Sequence, residues 1–476
     1  MALGAIHIRY GRLAHEQKPF KVPHTFVLLF ALIIVAVIGS YIIPAGEFDR
    51  ATDPNSGRTV VVPGTFHRVE QNPQHPFKTF IALQKGSIDA ADVVFFVFFV
   101  YASFYIVLQT GALHSFIGGL LRALRGKEVV LIPVFMYIFA LGGSVFGMFE
   151  ETFGFIPLFV GLAIAMGYDA IVGMCMVFLA VGMGFAAAFI NPFTIGVAQK
   201  VAELPLFSGM GFRIVSWFVF VTMAVIWTVR YALRIKKDPS KSLLAGVDMG
   251  KLALNHDELV DKKATGRDRL ILAWVVGTIG VLIWGVIAKG WYFDELAGLF
   301  VIMGIATGLI AGWGPSKIAA TFLEGCKDIV FGALVVGLSR GILVVMREAQ
   351  IIDTVVYAMS QPLAALPRWI AAEGMLVVQT LINFFIPSGS GQAATTMPIM
   401  APLSDLLGIS RQTAVLAFQY GDGFSNLLWP TTLLPVVCSI AKIPIQKWWR
   451  FFVPFFGLLL VAQVIFIAVS VMIGLA

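Results

Sequence analysis

Apolar runs about 20 residues long alternate along the chain with shorter polar connections. That is the length of helix needed to cross the hydrocarbon core of a bilayer. The pattern predicts spans at about 26–44, 92–111, 211–230, 270–289, 295–313, 328–347 and 449–474. Two further spans, 168–208 and 411–441, are broken, the first at FINPFT (Phe189 to Thr194) and the second at GDGFSN and WPTT. Two other apolar regions, 128–167 and 369–408, are interrupted at their centres by GGSVFGMFEETFG and IPSGSGQAATT. Gly, Ser and Pro break helices. In lipid, each backbone group freed in this way needs a partner. Both regions therefore read as re-entrant hairpins whose tips line an aqueous cavity. Nine spans and two hairpins predict an all-α polytopic membrane protein.

The polar segments organise the rest. A leader, 1–25, carries Arg9, Arg12, Lys18 and Lys21. A polar insert runs from Ala45 to about Gln84. The linker 235–267 is the most charged stretch and divides the chain into halves at 26–234 and 295–476, with an extra helix at 268–294 between linker and second half. With leader and linker in the cytoplasm, Arg122, Arg125 and Lys127 fall inside, as do Lys442, Lys447 and Arg450. This agrees with the positive-inside rule and leaves the C-terminus outside.

Composition supports this reading. Hydrophobic residues make up 58% of the 476 and charged residues only 13%, whereas a soluble domain is nearer half apolar and a quarter charged. The net charge of +7 is accounted for by cytoplasmic Lys and Arg, so nucleic acid is not an expected partner. Cys175, Cys326 and Cys438 are scattered in apolar context and read as packing residues. His24, His67, His75, His114 and His256 show no metal-ligand spacing. No Walker motif appears, so ATP is not expected to drive the protein directly.

The halves share landmarks. Pro157 and Gly167 bound the same ten-residue interval as Pro398 and Gly408, 241 residues further on. Asn191-Pro192 corresponds to Trp429-Pro430, and Leu204-Pro205-Leu206 to Ile443-Pro444-Ile445. Each half thus has a hairpin of 128–167 or 369–408, followed by a broken helix of 168–208 or 411–441. One hairpin opens inside and the other outside, so the repeat is inverted. Inverted repeats with paired broken segments characterise secondary transporters with a site at the midplane.

Candidate chemistry collects at the interruptions. Glu150 and Glu151 lie on the first tip, where a carboxylate at membrane depth is costly and usually functional. They are candidates for recognising a cationic group, and Glu150 also for binding a coupling ion. The second tip offers Ser388, Gly389, Ser390, Gly391, Gln392 and Thr395. Glycine there admits close approach to a ligand, and the helix N-terminus that follows favours a carboxylate. The broken helices add Asn191 and Thr194 in one half and Asp422, Asn426, Thr431 and Thr432 in the other. Asp422 is the leading candidate for H⁺ or Na⁺ coupling, with Asn426 beside it and a Na⁺ position expected near Asn191 and Asn426. Arg340 is the conspicuous intramembrane base, either the partner of Asp422, a substrate ligand or a structural group.

Several stretches resemble one family: YIIPAGEFDR, FEETFGFIPL, GFAAAFINPFTIGVAQ, IPSGSGQAATTMPIMAPLSDL and RQTAVLAFQYGDGFSN. They are similar to the YfcC family, which belongs with DcuC-type C4-dicarboxylate carriers in the ion transporter superfamily. The resemblance covers nearly the whole chain. It implies a homodimer in a bacterial inner membrane, with a fixed scaffold and an elevator-type transport domain carrying both hairpins. It also implies exchange of basic amino acids of the arginine/ornithine type and no cofactor beyond a coupling ion. The residues support this substrate class modestly, since Glu150, Glu151 and Asp422 outnumber Arg340. Dicarboxylates, other amino acids and small peptides are the competing cargoes. A channel is the alternative of another class. An enzyme is not expected, since no paired nucleophile and base or HExxH motif is present.

Overall fold

The computed structural model describes residues 24–52, 59–124, 126–247, 249 and 264–475. The leader cations, Arg125, Lys251, His256, Lys262 and Lys263 lie outside the described residues. Eight described helices are long and apolar enough to cross a membrane: Thr25–Ile42, Ala91–Thr110, Glu128–Phe146, Met210–Lys237, Gly266–Val286, Phe293–Ile310, Pro315–Glu348 and Ile445–Ile473. The chain is a helical, multi-pass membrane protein. Seven of the eight coincide with expected spans, and Glu128–Phe146 is the first arm of the hairpin at 128–167. Nine spans were expected because each broken helix was counted as one. The first is divided into Ala170–Ala186 and Ile195–Val201, the second into Arg411–Ser425 and Leu434–Ile440.

Two local departures from the sequence pattern stand out. Pro315–Glu348 is a 34-residue helix beginning well before the expected 328. At 1.5 Å per residue it runs about 50 Å and overreaches a hydrocarbon core of about 30 Å. The polar insert is not helical throughout, so the all-α expectation needs a small correction. Gly46–Glu47 pairs antiparallel with His67–Arg68, and Arg50–Thr52 with Thr59–Val61. The insert is anchored by Asp353 on the short helix Ile352–Ser360. Arg50 Nη2 donates to both oxygens of buried Asp353 at 2.9 Å, and the Phe48 amide donates to Oδ2 at 3.1 Å. Phe66 stacks on Tyr357 with ring centroids 4.1 Å apart.

The helices pack in two groups. In one, Pro315–Glu348 is flanked by Thr25–Ile42, Lys78–Asp89 and Ala91–Thr110, and the last of these also packs on Phe293–Ile310. In the other, Arg411–Ser425 is flanked by Arg368–Phe385, Gly389–Leu406 and Ala180–Ala186, and Leu131–Phe146 completes the layer. The groups touch where Ala91–Thr110 meets the first tip and where Pro315–Glu348 meets Leu434–Ile440.

Both hairpins have physical reasons for their form. The first rises as Leu131–Phe146, turns at Gly147, makes a 3-10 turn at Glu150–Phe155 and descends as Ile156–Ala165, with Pro157 at its start. Proline is tolerated there because first-turn amides lack helical partners. The second rises as Arg368–Phe385, turns through Ile386 and Pro387, and descends as Gly389–Leu406. Ser388 caps that descending helix, its Oγ accepting from the Gly391 amide at 3.3 Å. Left-handed glycines, Gly167 and Gly408, end the descending arms.

Candidate functional site

The two tips, distant in sequence, line one cleft of about 1190 Å³ of atom-free space, part of it open to solvent. Glu150 and Glu151 enter it from the first tip, and Ser388, Gly389 and Ser390 from the second. Thr194 of the first break and Asn426, Thr431 and Thr432 of the second close it from below. Asp92, Tyr292, Ser339 and Arg340 form the facing wall, contributed by the helix group that holds Pro315–Glu348. The cleft therefore lies between the two groups.

Close contacts hold the tips in place. Gly147 is left-handed, at φ 69°, and a Cβ there would stand 2.7 Å from Asn191 Oδ1. That oxygen accepts from the Phe193 and Thr194 amides at 2.9 and 3.3 Å. Asn191 is thus buried behind the first tip and organises the break that precedes Ile195–Val201. Glu151 bends back to accept from the Phe149 amide at 2.9 Å. Gly389 joins the halves: a Cβ there would meet Thr194 Cγ2 at 2.6 Å and Asp422 Oδ2 at 3.3 Å.

Asp422 does not line the cleft. It lies fully buried beneath the second tip, and neither carboxylate oxygen has a hydrogen-bond partner among the described residues. Thr194 Oγ1, Asn383 Oδ1 and Gln419 Oε1 are buried and unpartnered by the same measure. Asn383 Nδ2 donates to the Asp422 carbonyl at 2.9 Å, to Ser425 Oγ at 2.7 Å and to Asn426 Oδ1 at 3.0 Å. The neighbourhood is rich in oxygen acceptors and contains one carboxylate. Such donors suit a proton or a hard monovalent cation better than a transition metal. The side-chain oxygens of Asn191 and Asn426 accept these hydrogen bonds and so hold the local backbone and the Asn383 side chain.

Other expectations are redistributed. Arg340 is not the partner of Asp422; its Nε donates to Asp89 Oδ2 at 2.6 Å across the facing wall. Gln392 turns into the hairpin, where Nε2 donates to the Gln379 carbonyl at 2.9 Å and to its Oε1 at 2.7 Å, with Thr396 completing the cluster. Gly391 and Thr395 line a second cavity on the far side of Ser388. Thr431 donates to the Phe384 carbonyl at 2.8 Å, and Thr432 to that of Asn426 at 2.8 Å, so both also hold the second break. Asp92 and Asp89 were missed. Their signal was weak: Asp89 ends the polar-rich helix Lys78–Asp89, and Asp92 sits in the first turn of Ala91–Thr110, where a span was expected to begin.

A multi-pass helical protein whose polar loops meet in a solute-sized cleft between two helix groups has the build of a transporter. The family model for DcuC, the C4-dicarboxylate anaerobic carrier, matches residues 22–472, and the chain belongs to that family. It is 33% identical to YfcC of Escherichia coli K12, covering 94% of this chain and 96% of that protein, whose name provisionally assigns it as a basic amino acid antiporter. It is 30% identical to an uncharacterized protein of Haemophilus influenzae, over 96% of this chain and 98% of the relative. Among solved structures, the YdaH transporter of Alcanivorax borkumensis overlaps 95% of this chain and 99% of its own at 17% identity and a TM-score of 0.44. MtrF of Neisseria gonorrhoeae overlaps 95% and 96% at 14% identity and 0.43. The chain is a transporter of the DcuC and YfcC type, not an enzyme.

Proposed function

We propose that this protein is a secondary active transporter that exchanges basic amino acids, of the arginine and ornithine type, across a bacterial inner membrane. The carrying observation is the charge of the cleft. Glu150, Glu151 and Asp92 line it, against Arg340, which is already paired with Asp89. Surplus acid favours a cargo with a cationic side chain. The neutral second tip supplies what the other end of that cargo needs. Ser388, Ser390 and the first amides of Gly389–Leu406 are donors for a carboxylate. The name carried by the Escherichia coli relative points the same way.

Asp422, with Thr194 and Asn383 near it, is the proposed coupling group for H⁺ or Na⁺. Because it lies beneath Gly389, occupancy there is felt at the tip that holds the cargo carboxylate. We assign the group around Arg411–Ser425, with both hairpins, as an elevator-type transport domain. The group around Pro315–Glu348 is the scaffold of a homodimer. The halves 26–234 and 295–476 form an inverted repeat, with the N-terminus cytoplasmic and the C-terminus periplasmic.

The family description names C4-dicarboxylates, and the donors of the second tip would serve that cargo as well. Counterflow in proteoliposomes separates the two. The panel is arginine, ornithine, lysine, aspartate, succinate and short peptides, with and without Na⁺ and a pH gradient. Arginine and ornithine are expected to exchange and to compete with each other. Succinate uptake that arginine does not inhibit overturns the cationic reading.

A further inference from the structure

The second cavity differs in character from the cleft. It has about 1040 Å³ of atom-free space, part of it open to solvent, between the polar insert, the end of Pro315–Glu348 and the second tip. Arg50, Arg340 and Arg347 line it, with Glu47 and Asp353. The cleft has three carboxylates to one guanidinium; this cavity has three guanidiniums to two carboxylates. Ser388 and Arg340 line both, so the two cavities adjoin across the second tip.

Structural pairing engages the arginines only in part. Asp353 takes one nitrogen of Arg50, and the Phe48 carbonyl takes another. Asp89 Oδ2 accepts from Arg340 Nε and Oδ1 from Arg347 Nη1, at 2.6 and 3.1 Å. A guanidinium has five N–H donors in a planar fork. Each arginine therefore keeps donors beyond those its partner uses, and the side chain of Arg347 is 56% exposed. The acid at the mouth, Glu47, is itself held by Gln350 Nε2 at 3.0 Å.

We propose that this cavity is a second binding station, selective for carboxylates, through which the cargo passes before or after the cleft. Arg347 and Arg50 receive the carboxylate at the mouth. Arg340, shared by both cavities, is the relay to Ser388 on the tip. The station rests on the reading of the protein as a carrier but not on the choice of cargo, since basic amino acids and dicarboxylates both carry a carboxylate.

The test is binding to the purified full chain, read as a shift in unfolding temperature. Succinate, arginine and agmatine, the arginine analogue without a carboxylate, are titrated against the wild type and Arg347→Gln. The apparent Kd for succinate and arginine is expected to rise about three- to fivefold in the variant, the size of a half-exposed ion pair. Agmatine should be unchanged, and Arg347→Lys should recover most of the loss. Equal Kd values for wild type and Arg347→Gln, or no stabilisation by either carboxylate, overturn the station. Succinate binding that weakens in Arg347→Gln, with no binding of arginine at all, counts against a cationic cargo and leaves the station standing. If Arg347→Gln does not fold, the wild type decides. Its Kd for succinate must weaken as salt rises from about 0.02 to 0.5 M, across the range where exposed charges become screened. A flat dependence overturns the station.

Discussion

The two hairpin tips are built to opposite specifications. The first is acidic at its surface. Glu150 and Glu151 stand in the cleft, and Glu151 is bent back onto its own backbone. The second is neutral at its surface and keeps its charge one layer down, with Asp422 buried beneath Gly389. Under the proposed function, the difference separates two tasks. A surface carboxylate is hydrated when the cleft is open and can meet a large organic cation. A buried one is shielded from such a ligand and is reached only by something as small as a proton or a bare metal ion.

The sharpest way to break this contrast is Asp422→Asn. An unpaired buried carboxylate is a burden on stability, so its amide should leave the melting temperature equal or raised. Coupled uptake should nevertheless be largely lost, since an ionisable group at membrane depth is usually functional. A lower melting temperature with uptake retained would falsify the assignment and make Asp422 a packing group.

Gly389→Ala probes the contact between the tips' supports. The new Cβ would meet Thr194 Cγ2 at 2.6 Å and Asp422 Oδ2 at 3.3 Å. Overpacking of this kind typically costs about 1–3 kcal/mol. Uptake is expected to drop about tenfold or more. Gly211→Ala, where an added Cβ meets nothing within 4 Å, is the control. Equal activity of the two variants in counterflow would show that the second tip moves freely of its support.

Much of this arrangement was legible in the sequence, because it depends on local chain chemistry. The hairpins at 128–167 and 369–408, the breaks at Asn191-Pro192 and Trp429-Pro430, and the tip residues all follow from Gly, Pro and polar groups interrupting apolar runs. Five of the tip residues named from sequence, Glu150, Glu151, Ser388, Gly389 and Ser390, line the cleft. What was not legible depends on packing between distant helices. Arg340 and Asp89 are 251 residues apart, and nothing in either neighbourhood announces the pair. Gln392 reads like a ligand because it sits among Gly and Ser. Its helical position instead turns it to Gln379 on the other arm. Asp92 was lost among the phenylalanines that follow it, and it enters the cleft only because the first tip packs on Ala91–Thr110.

Within the acidic tip the two glutamates should separate. Glu150→Gln removes a cleft charge and is expected to raise the KM for arginine about tenfold, with the melting temperature unchanged. Glu151→Gln weakens the acceptor for the Phe149 amide and should cost about 1–2 kcal/mol of stability, with a smaller effect on KM. Uptake assays and thermal melts on both variants read the split directly. Reversed effects would exchange the two roles and move the cargo's cation towards Glu151.

The smallest effect belongs to the neutral tip, and it tests whether that tip is a ligand or only a turn. Ser388 caps Gly389–Leu406 through its Oγ and lines both cavities. Replacing a capping serine with alanine costs about 1 kcal/mol, and this structural loss follows whatever the cargo. A carboxylate held by the hydroxyl adds a second loss, visible only in its presence. Ser388→Ala should therefore raise the KM for arginine about three- to tenfold, as expected when a donor to a charged group is lost, while agmatine binding stays within twofold of wild type. Ser388→Thr retains the cap and the hydroxyl and should recover the arginine affinity. If arginine and agmatine weaken together in Ser388→Ala, the serine acts through the helix alone. The contrast between the tips would then reduce to one charged ligand surface opposite an inert turn.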